Sequence, residues 1–261
     1  MKKLGLIGEK LGHSYSKIIH ERFFELAGKK DYTYDLIEIP MGNLPMEIKR
    51  IAGEYDGINV TIPYKLDVME FLSYISPEAG KIGAVNTVKF TPDGAYGYNS
   101  DYFGFKSTLE NNSIEIWGKD VVILGTGGAS KAALAVCEDM GAKSIIFVTS
   151  GNKTVEGYKT ITYDNQIKGD VLINCTPVGM YPNAGVSPIE NLDLGFDAVV
   201  DMIYNPTITE LMKKGEKIGA KTVNGLNMLV AQAIYSECIW NDEKVDNGIV
   251  GTIFNELKEM F

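Results

Sequence analysis

Short apolar runs alternate along the chain with stretches in which apolar positions recur every three or four residues. The first pattern suits strands and the second amphipathic helices. LGLIG at 4–8 predicts a first strand, and residues 15–28 predict a helix with Ile18, Ile19, Phe23, Phe24 and Leu26 at helical spacing. YTYDLIEI at 32–39 alternates as a half-buried strand does. Residues 44–54 predict a helix, GINVT at 57–61 a strand and residues 65–73 a further helix. AVNTVKF (84–90) and AYGYNSD (95–101) predict two strands joined by the turn residues Pro92, Asp93 and Gly94.

A second unit is predicted to begin near Asp101, with a helix over 103–111. DVVILG at 120–125 reads as a buried strand followed at once by a helix to about Met140. SIIFVTS (144–150), DVLINCTP (170–177), AVVDMIY (198–204) and KTVNG (221–225) predict four more strands, with a helix over 207–219. After Gly225 the pattern is helical to the end, over 226–240 and 246–260. Strands alternating with helices in this way predict an α/β protein.

Composition narrows the field of partners. The 261 residues are 45% hydrophobic and 23% charged, ordinary for a globular protein, and 25 basic against 34 acidic residues give a net charge of −9. That balance argues against binding a nucleic acid or an anionic membrane. The three cysteines, Cys137, Cys175 and Cys238, are too scattered for a disulfide framework and are expected to be small buried apolar residues. With only His13 and His20 besides, no metal site is expected. Glu9 and Lys10 interrupt any leader-like apolar core, and no run of about 18 apolar residues occurs, so the expected compartment is the cytoplasm.

The strand DVVILG at 120–125 is followed at once by TGGAS and then a helix, so the turn reads GTGGAS. A strand–glycine turn–helix of this kind is the context in which a dinucleotide pyrophosphate meets free helix N–H groups. Gly125 is expected to allow the tight turn, Gly127 the approach of a pyrophosphate, and Gly128 a close entry to the helix. The end of the next strand should select the cofactor, by an acid for a ribose 2′-OH or an arginine for a 2′-phosphate. It reads Thr149, Ser150, Gly151, Asn152, Lys153 and offers neither. Lys153 and Ser150 are candidates for a 2′-phosphate; the competing reading of Lys153 is a solvated loop charge.

Together with GHSYS (12–16), NVTIPYK (59–65), GAVNT (83–87), GYNSD (97–101), NCTPVGM (174–180), D-x-x-Y-x-P-x-x-T (201–209) and NGLNMLVAQA (224–233), this turn makes the whole chain resemble the shikimate dehydrogenase family. The resemblance implies an N-terminal α/β substrate domain (1–102), completed by the C-terminal helices 226–261, and an NADP-binding Rossmann-type domain over 103–225. It implies that Ser14 and Ser16 hold the substrate carboxylate, and that Asn59, Thr61, Asn86 and Gln232 hydrogen-bond ring hydroxyls or the carboxylate. Lys65 and Asp101 match the catalytic pair, which also touches substrate. Gly125, Thr126, Gly127, Gly128, Ala129, Thr149, Ser150, Lys153, Thr176 and Met202 match cofactor positions, and Tyr204, Gly225 and Met228 border the nicotinamide. Bland alternatives stand beside these roles: turn and N-cap serines at 14 and 16, a solvated helix-start lysine at 65, core packing for Tyr204 and Met228, and a structural role for His13.

The chemistry is coherent from residue types alone. Hydride addition to a ketone builds alkoxide character, which a cation stabilises and a proton quenches, and a lysine oriented by an aspartate supplies both. Departures from the family pattern are Glu9-Lys10 where a proline is usual, Lys17 for a proline after Ser16, Ser100 for threonine, and Thr149-Ser150-Gly151 for Asn-Arg-Thr. The last removes a guanidinium suited to a 2′-phosphate but adds no acid that would favour NAD.

The expected activity is NADPH-dependent, reversible reduction of 3-dehydroshikimate to shikimate in aromatic amino-acid biosynthesis, by a monomer or homodimer. Alternatives are an NAD-using quinate/shikimate dehydrogenase and a non-catalytic metabolite-binding relative, the latter disfavoured because Lys65 and Asp101 both stand. The chain could also be one module of a larger polypeptide. Gly104 and Gly225 are expected as hinges.

Overall fold

The computed structural model describes every residue except His13, Asp193 and Phe261, so the structural role expected of His13 lies outside the described residues. The chain divides into two compact units, Met1–Gly104 with Val230–Asn255, and Phe105–Leu229 with Glu256–Phe261.

The first unit is built on a six-stranded sheet. Its elements are β1 (Lys2–Gly8), α1 (Ser16–Leu26), β2 (Tyr32–Glu38), α2 (Leu44–Glu54), β3 (Gly57–Val60), β4 (Tyr74–Ile75), α3 (Pro77–Ile82), β5 (Thr87–Thr91) and β6 (Gly94–Tyr98). The order is β2-β1-β3-β5-β6-β4, and only β5 runs against its neighbours. Ile7, Ile58, Val60 and Val88 pack against Leu44, Ile48 and Ile51 of α2 on one side. A β-carbon on Gly57 would stand 2.3 Å from Trp240 Nε1, whose N–H donates to Val88 O at 2.9 Å. Trp240 belongs to α7 (Leu226–Asn241), which lies in this unit from Val230 onward.

The second unit carries β7 (Asp120–Leu124), α5 (Gly128–Asp139), β8 (Ser144–Thr149), β9 (Lys159–Thr162), β10 (Val171–Asn174), β11 (Ala198–Asp201), α6 (Glu210–Lys217) and β12 (Lys221–Val223). All six strands are parallel in the order β12-β11-β10-β7-β8-β9. Their buried Val, Leu and Ile runs are what a sheet covered on both faces requires. The chain order reverses at β7, which makes its carboxyl end the switch point where such sheets take ligands.

Several expectations are corrected. Residues 65–73 form only a 3₁₀ turn, Asp67–Phe71, followed by β4 and the six-residue α3, neither of which has enough apolar repeat to be read from sequence. AYGYNSD is strand only to Tyr98, because the Asn99 side chain accepts the Asp101 N–H at 3.1 Å and turns the chain into α4 (Ser100–Asn111). The mostly polar β9 was not expected. The tail closes with α8 (Asn247–Lys258). Gly104 lies inside α4, where the first unit's opening stretch ends, and a β-carbon on Gly225 would stand 2.0 Å from Met202 O, a close backbone approach that calls for glycine. Cys137 is buried, whereas Cys175 and Cys238 are only partly so. Burial pushes the Cys137 thiol up to about 12, Cys238 to about 11, and Cys175 well above the usual range. No helix among the described residues is long and apolar enough to cross a membrane, and no group of acidic, His or Cys side chains among them could hold a metal.

Candidate active site

The topology gathers the polar residues of the first unit at one edge of its sheet. The segment after β1 carries Ser14 and Ser16, the segment after β3 carries Thr61 and Lys65, and β6 leads into Asp101. Reversed β5 brings its own start, with Asn86 just before it, to that same edge. Lys65 Nζ donates to Asp101 Oδ2 at 2.6 Å, with the two side chains 29% and 21% exposed, so the pair is formed and still reachable from solvent. The Asn99 turn fixes the Asp101 backbone, and Asn99 Nδ2 in turn holds Ala84 O at 2.9 Å.

Further hydrogen bonds tie the polar residues of this unit to one another. The Ser14 hydroxyl donates to Ser16 Oγ at 3.1 Å. Tyr34 Oη donates to Asn59 Oδ1 at 2.8 Å, and Asn59 Nδ2 donates to Ser236 Oγ at 2.8 Å. The Ser236 hydroxyl donates to Ser100 Oγ at 3.1 Å, and Ser100 Oγ donates to Asn86 Oδ1 at 3.2 Å, with Gln232 Oε1 at 3.4 Å. Asn86 Oδ1 also takes the Ser100 N–H at 2.7 Å and the Thr87 hydroxyl at 3.0 Å. Its oxygen is saturated, so the Nδ2 donors are what this side chain can offer a ligand. Asn59 is fully engaged within the network, its Nδ2 also reaching Asn86 O and Thr87 Oγ1 at 3.2 Å each. Burial pushes the Tyr34 phenol well above its usual pKa, which keeps it a donor. The N-cap of α1 is Tyr15, without a side-chain cap; Ser14 instead accepts the Ser16 N–H at 3.2 Å.

In the second unit all five expected ligand-facing segments lie at or after the ends of parallel strands and so share one edge: 125–129 after β7, 149–153 from the last residue of β8, Thr176 after β10, Met202 and Tyr204 after β11, and Gly225 after β12. Gly125 has φ +91°, and a β-carbon there would stand 2.9 Å from Thr176 Cγ2, so both backbone and space call for glycine. Gly127 and Gly128 have nothing within 4 Å of a built β-carbon. That suits the approach of a ligand at Gly127 but corrects the expected close helix packing at Gly128. The N-cap of α5 is Gly127 and makes no side-chain cap bond, which leaves the first N–H groups without a capping side chain. Beside this turn lies a cavity of about 370 Å³. Leu134, Phe147 and Val155 make its apolar part, and Thr126, Ser130, Lys131, Lys153 and Glu156 its polar part. Neither lysine has a salt bridge or hydrogen bond among the described residues. Thr149 is buried as the last residue of β8 and Ser150 is exposed, as is Ala129. Tyr204 and Met228 are partly buried.

The D-x-x-Y-x-P-x-x-T motif has a structural explanation. Buried Asp201 accepts Thr209 Oγ1 at 2.7 Å, Asn174 Nδ2 at 2.9 Å and Ile203 N at 3.1 Å, while Thr209 caps α6 by accepting Met212 N–H at 3.3 Å. Desolvation pushes the Asp201 carboxyl up, against these three hydrogen bonds. Sequence reasoning missed Lys131, although it directly follows GTGGAS on the open face of the turn. It also missed Tyr34 and Ser236, which in sequence are one member of an alternating strand and one hydroxyl in an apolar helix.

Residues 6–88 match the family described as the shikimate dehydrogenase substrate binding domain. A relative from Clostridium beijerinckii named "shikimate dehydrogenase (NADP(+))" is 42% identical over 270 residues, covering 100% of both chains. The crystal structure of a chorismate mutase/shikimate 5-dehydrogenase fusion protein from Clostridium acetobutylicum aligns with a TM-score of 0.92 at 44% identity, over 100% of this chain and 98% of that one. A shikimate dehydrogenase from Peptoclostridium difficile aligns with a TM-score of 0.86 at 45% identity, over 99% and 98%. With this identity sustained from end to end, the chain belongs to the shikimate dehydrogenase family.

Proposed function

We propose that the chain is a shikimate dehydrogenase, reducing 3-dehydroshikimate reversibly to shikimate with NADPH. The observation that carries this reading is the 2.6 Å Lys65–Asp101 pair, set at the sheet edge that also holds Ser14, Ser16, Thr61 and Asn86. The first unit is the substrate-binding and catalytic domain and the second the NADP-binding domain. Such a reaction belongs to the cytoplasm, in keeping with three free cysteines.

The residues present fit the cofactor. The uncapped start of α5 with its open Gly127 and Gly128 suits the pyrophosphate, and the apolar side of the 370 Å³ cavity suits an adenine ring. Lys131 and Lys153 supply the positive charge that a 2′-phosphate needs where the family's arginine is missing. When bound, NADP(H) gives or takes the hydride.

Everything else falls to the protein. Ser14 and Ser16 hold the carboxylate through their hydroxyls. Asn86 Nδ2, the Thr61 hydroxyl and Gln232 meet the ring hydroxyls, and Asn59 holds Asn86 and Thr87 in place. Lys65 Nζ has three donors; one is spent on Asp101, which leaves two for the reacting oxygen. In the oxidation direction the shikimate hydroxyl gives its proton to the Lys65–Asp101 pair as the C–H bond gives up its hydride, leaving a ketone. In reduction the pair stabilises the nascent alkoxide and returns the proton.

Steady-state assays with shikimate and with quinate, each paired with NADP⁺ and with NAD⁺, test the proposal. Shikimate with NADP⁺ is expected to give the highest kcat/KM. Preference for NAD⁺ would overturn the cofactor assignment, and absence of turnover would overturn the enzymatic reading.

A further inference from the structure

We propose that Tyr34 is a positioning residue that orients Asn59 and, through it, the hydrogen-bond network that holds Asn86, and that the buried His20–Glu237 pair clamps its ring in register. The proposal rests on the reading of this edge as the shikimate site. Tyr34 is 1% exposed, and its hydroxyl donates to Asn59 Oδ1 at 2.8 Å. That bond joins β2 to β3 and, through Asn59, to the Asn86 cluster. An amide oxygen can only accept, so Asn59 needs the Tyr34 O–H to keep Nδ2 turned towards Ser236.

The ring is held as firmly as the hydroxyl. His20 stacks on Tyr34 with ring centroids 4.0 Å apart and planes 9° apart. His20 and Glu237 are 1% and 0% exposed, and His20 Nδ1 donates to Glu237 Oε1 at 2.6 Å. His20 Nε2 is buried with no partner, so the Glu237 bond is the hydrogen bond that sets the ring's orientation. Glu237 is itself steadied by Asn241 Nδ2 at 3.2 Å. None of these three residues touches the Lys65–Asp101 pair in any contact described above. Their influence therefore falls on parts of the substrate that do not change between ground and transition state, which alters KM rather than kcat.

Tyr34→Phe removes only the hydroxyl and leaves the stack. It is expected to raise KM for shikimate about tenfold, the usual scale of one lost buried hydrogen bond, with kcat within about twofold and KM for NADP⁺ unchanged. Glu237→Leu is expected to give the same split, and Glu237→Gln, which keeps an acceptor for His20, to restore KM. The double variant Tyr34→Phe/Glu237→Leu is expected to do no more than either change alone. A Tyr34→Phe enzyme with KM for shikimate within twofold of wild type would overturn the proposal. So would a parallel loss in kcat and both KM values that tracks a fall in Tm, since a merely structural role predicts that. Should Tyr34→Phe fail to fold, the Glu237→Leu and Glu237→Gln pair decides alone. Wild-type protein inert towards shikimate would remove the reading of the site itself, a failure separate from unresponsive variants of an active enzyme.

Discussion

Removing the Lys65 amine offers the sharpest perturbation of the proposed chemistry. Lys65→Met keeps the length and apolar stem of the side chain while deleting the ammonium that lies 2.6 Å from Asp101 Oδ2. Charge stabilisation of a developing oxyanion is worth about 10²–10³ in rate, or about 2.7–4 kcal/mol. General acid–base transfer is worth about 10²–10⁴. Both roles fall to the one Lys65–Asp101 pair in the proposal, so the two do not simply multiply, and kcat is expected to fall about 10³–10⁴-fold. Stability should barely move, because a pair exposed to 29% and 21% contributes about 1 kcal/mol or less. Lys65→Arg keeps a positive charge but, with a planar guanidinium that stays protonated, changes the donor geometry, and should fall between wild type and Lys65→Met. The assay is NADPH formation from shikimate at saturating NADP⁺, with KM measured alongside and Tm as the folding control. A Lys65→Met enzyme that loses less than tenfold in kcat, or that raises KM while keeping kcat, would refute the reasoning.

Further outcomes follow from the second unit. Lys131→Ala and Lys153→Ala should each raise KM for NADP⁺ about tenfold, the scale of one charged hydrogen bond, and leave NAD⁺ kinetics within twofold; parallel effects on both cofactors would remove them from the 2′-phosphate. Gly225→Ala should cost about 1–3 kcal/mol, because its β-carbon would meet backbone at 2.0 Å that no rotamer change can relieve, and thermal melting reads the loss. Gly128→Ala, by contrast, enters open space and should keep or raise Tm while weakening NADP⁺ binding, measured by titration calorimetry. For Asp201 the folded carboxyl titrates higher than the unfolded one, so the folded state holds the extra proton. Wild-type stability should therefore fall as pH rises from the usual carboxylate range through the raised value, then level off. Asp201→Asn removes that slope and gains on wild type between acid and neutral pH; urea unfolding at both ends checks the sign.

The elements that sequence placed best are those whose burial repeats strictly. The apolar runs of β1, β7, β10 and β11, and the helical spacing in α2, leave little choice of partner face. What escaped was short or polar: α3 spans six residues, and β9 is KTIT, held by parallel pairing with β8 rather than by its own pattern. Lys65 and Asp101 were singled out by motifs, yet spacing alone could not bring them together, which depends on β5 reversing between β3 and β6. Asn59 shows the opposite limit. The family resemblance implied a hydrogen bond to the substrate, while the structure shows every polar group of its side chain spent on neighbours. The cavity lysines fall between these cases, since Lys153 stood out by its place after a strand and Lys131 became informative only once α5 turned it towards the same cavity.

The three cysteines have a practical consequence. A thiol whose pKa sits at about 11, as for Cys238, is thiolate to only about one part in ten thousand at pH 7. Cys137, at about 12, is quieter still. Maleimides, disulfide exchange and mild peroxide all act through the thiolate, so native protein should be close to silent towards them. A cysteine introduced at exposed Ser150, near the lysine-lined cavity, could then carry a fluorophore against a dark background with none of the natural thiols removed.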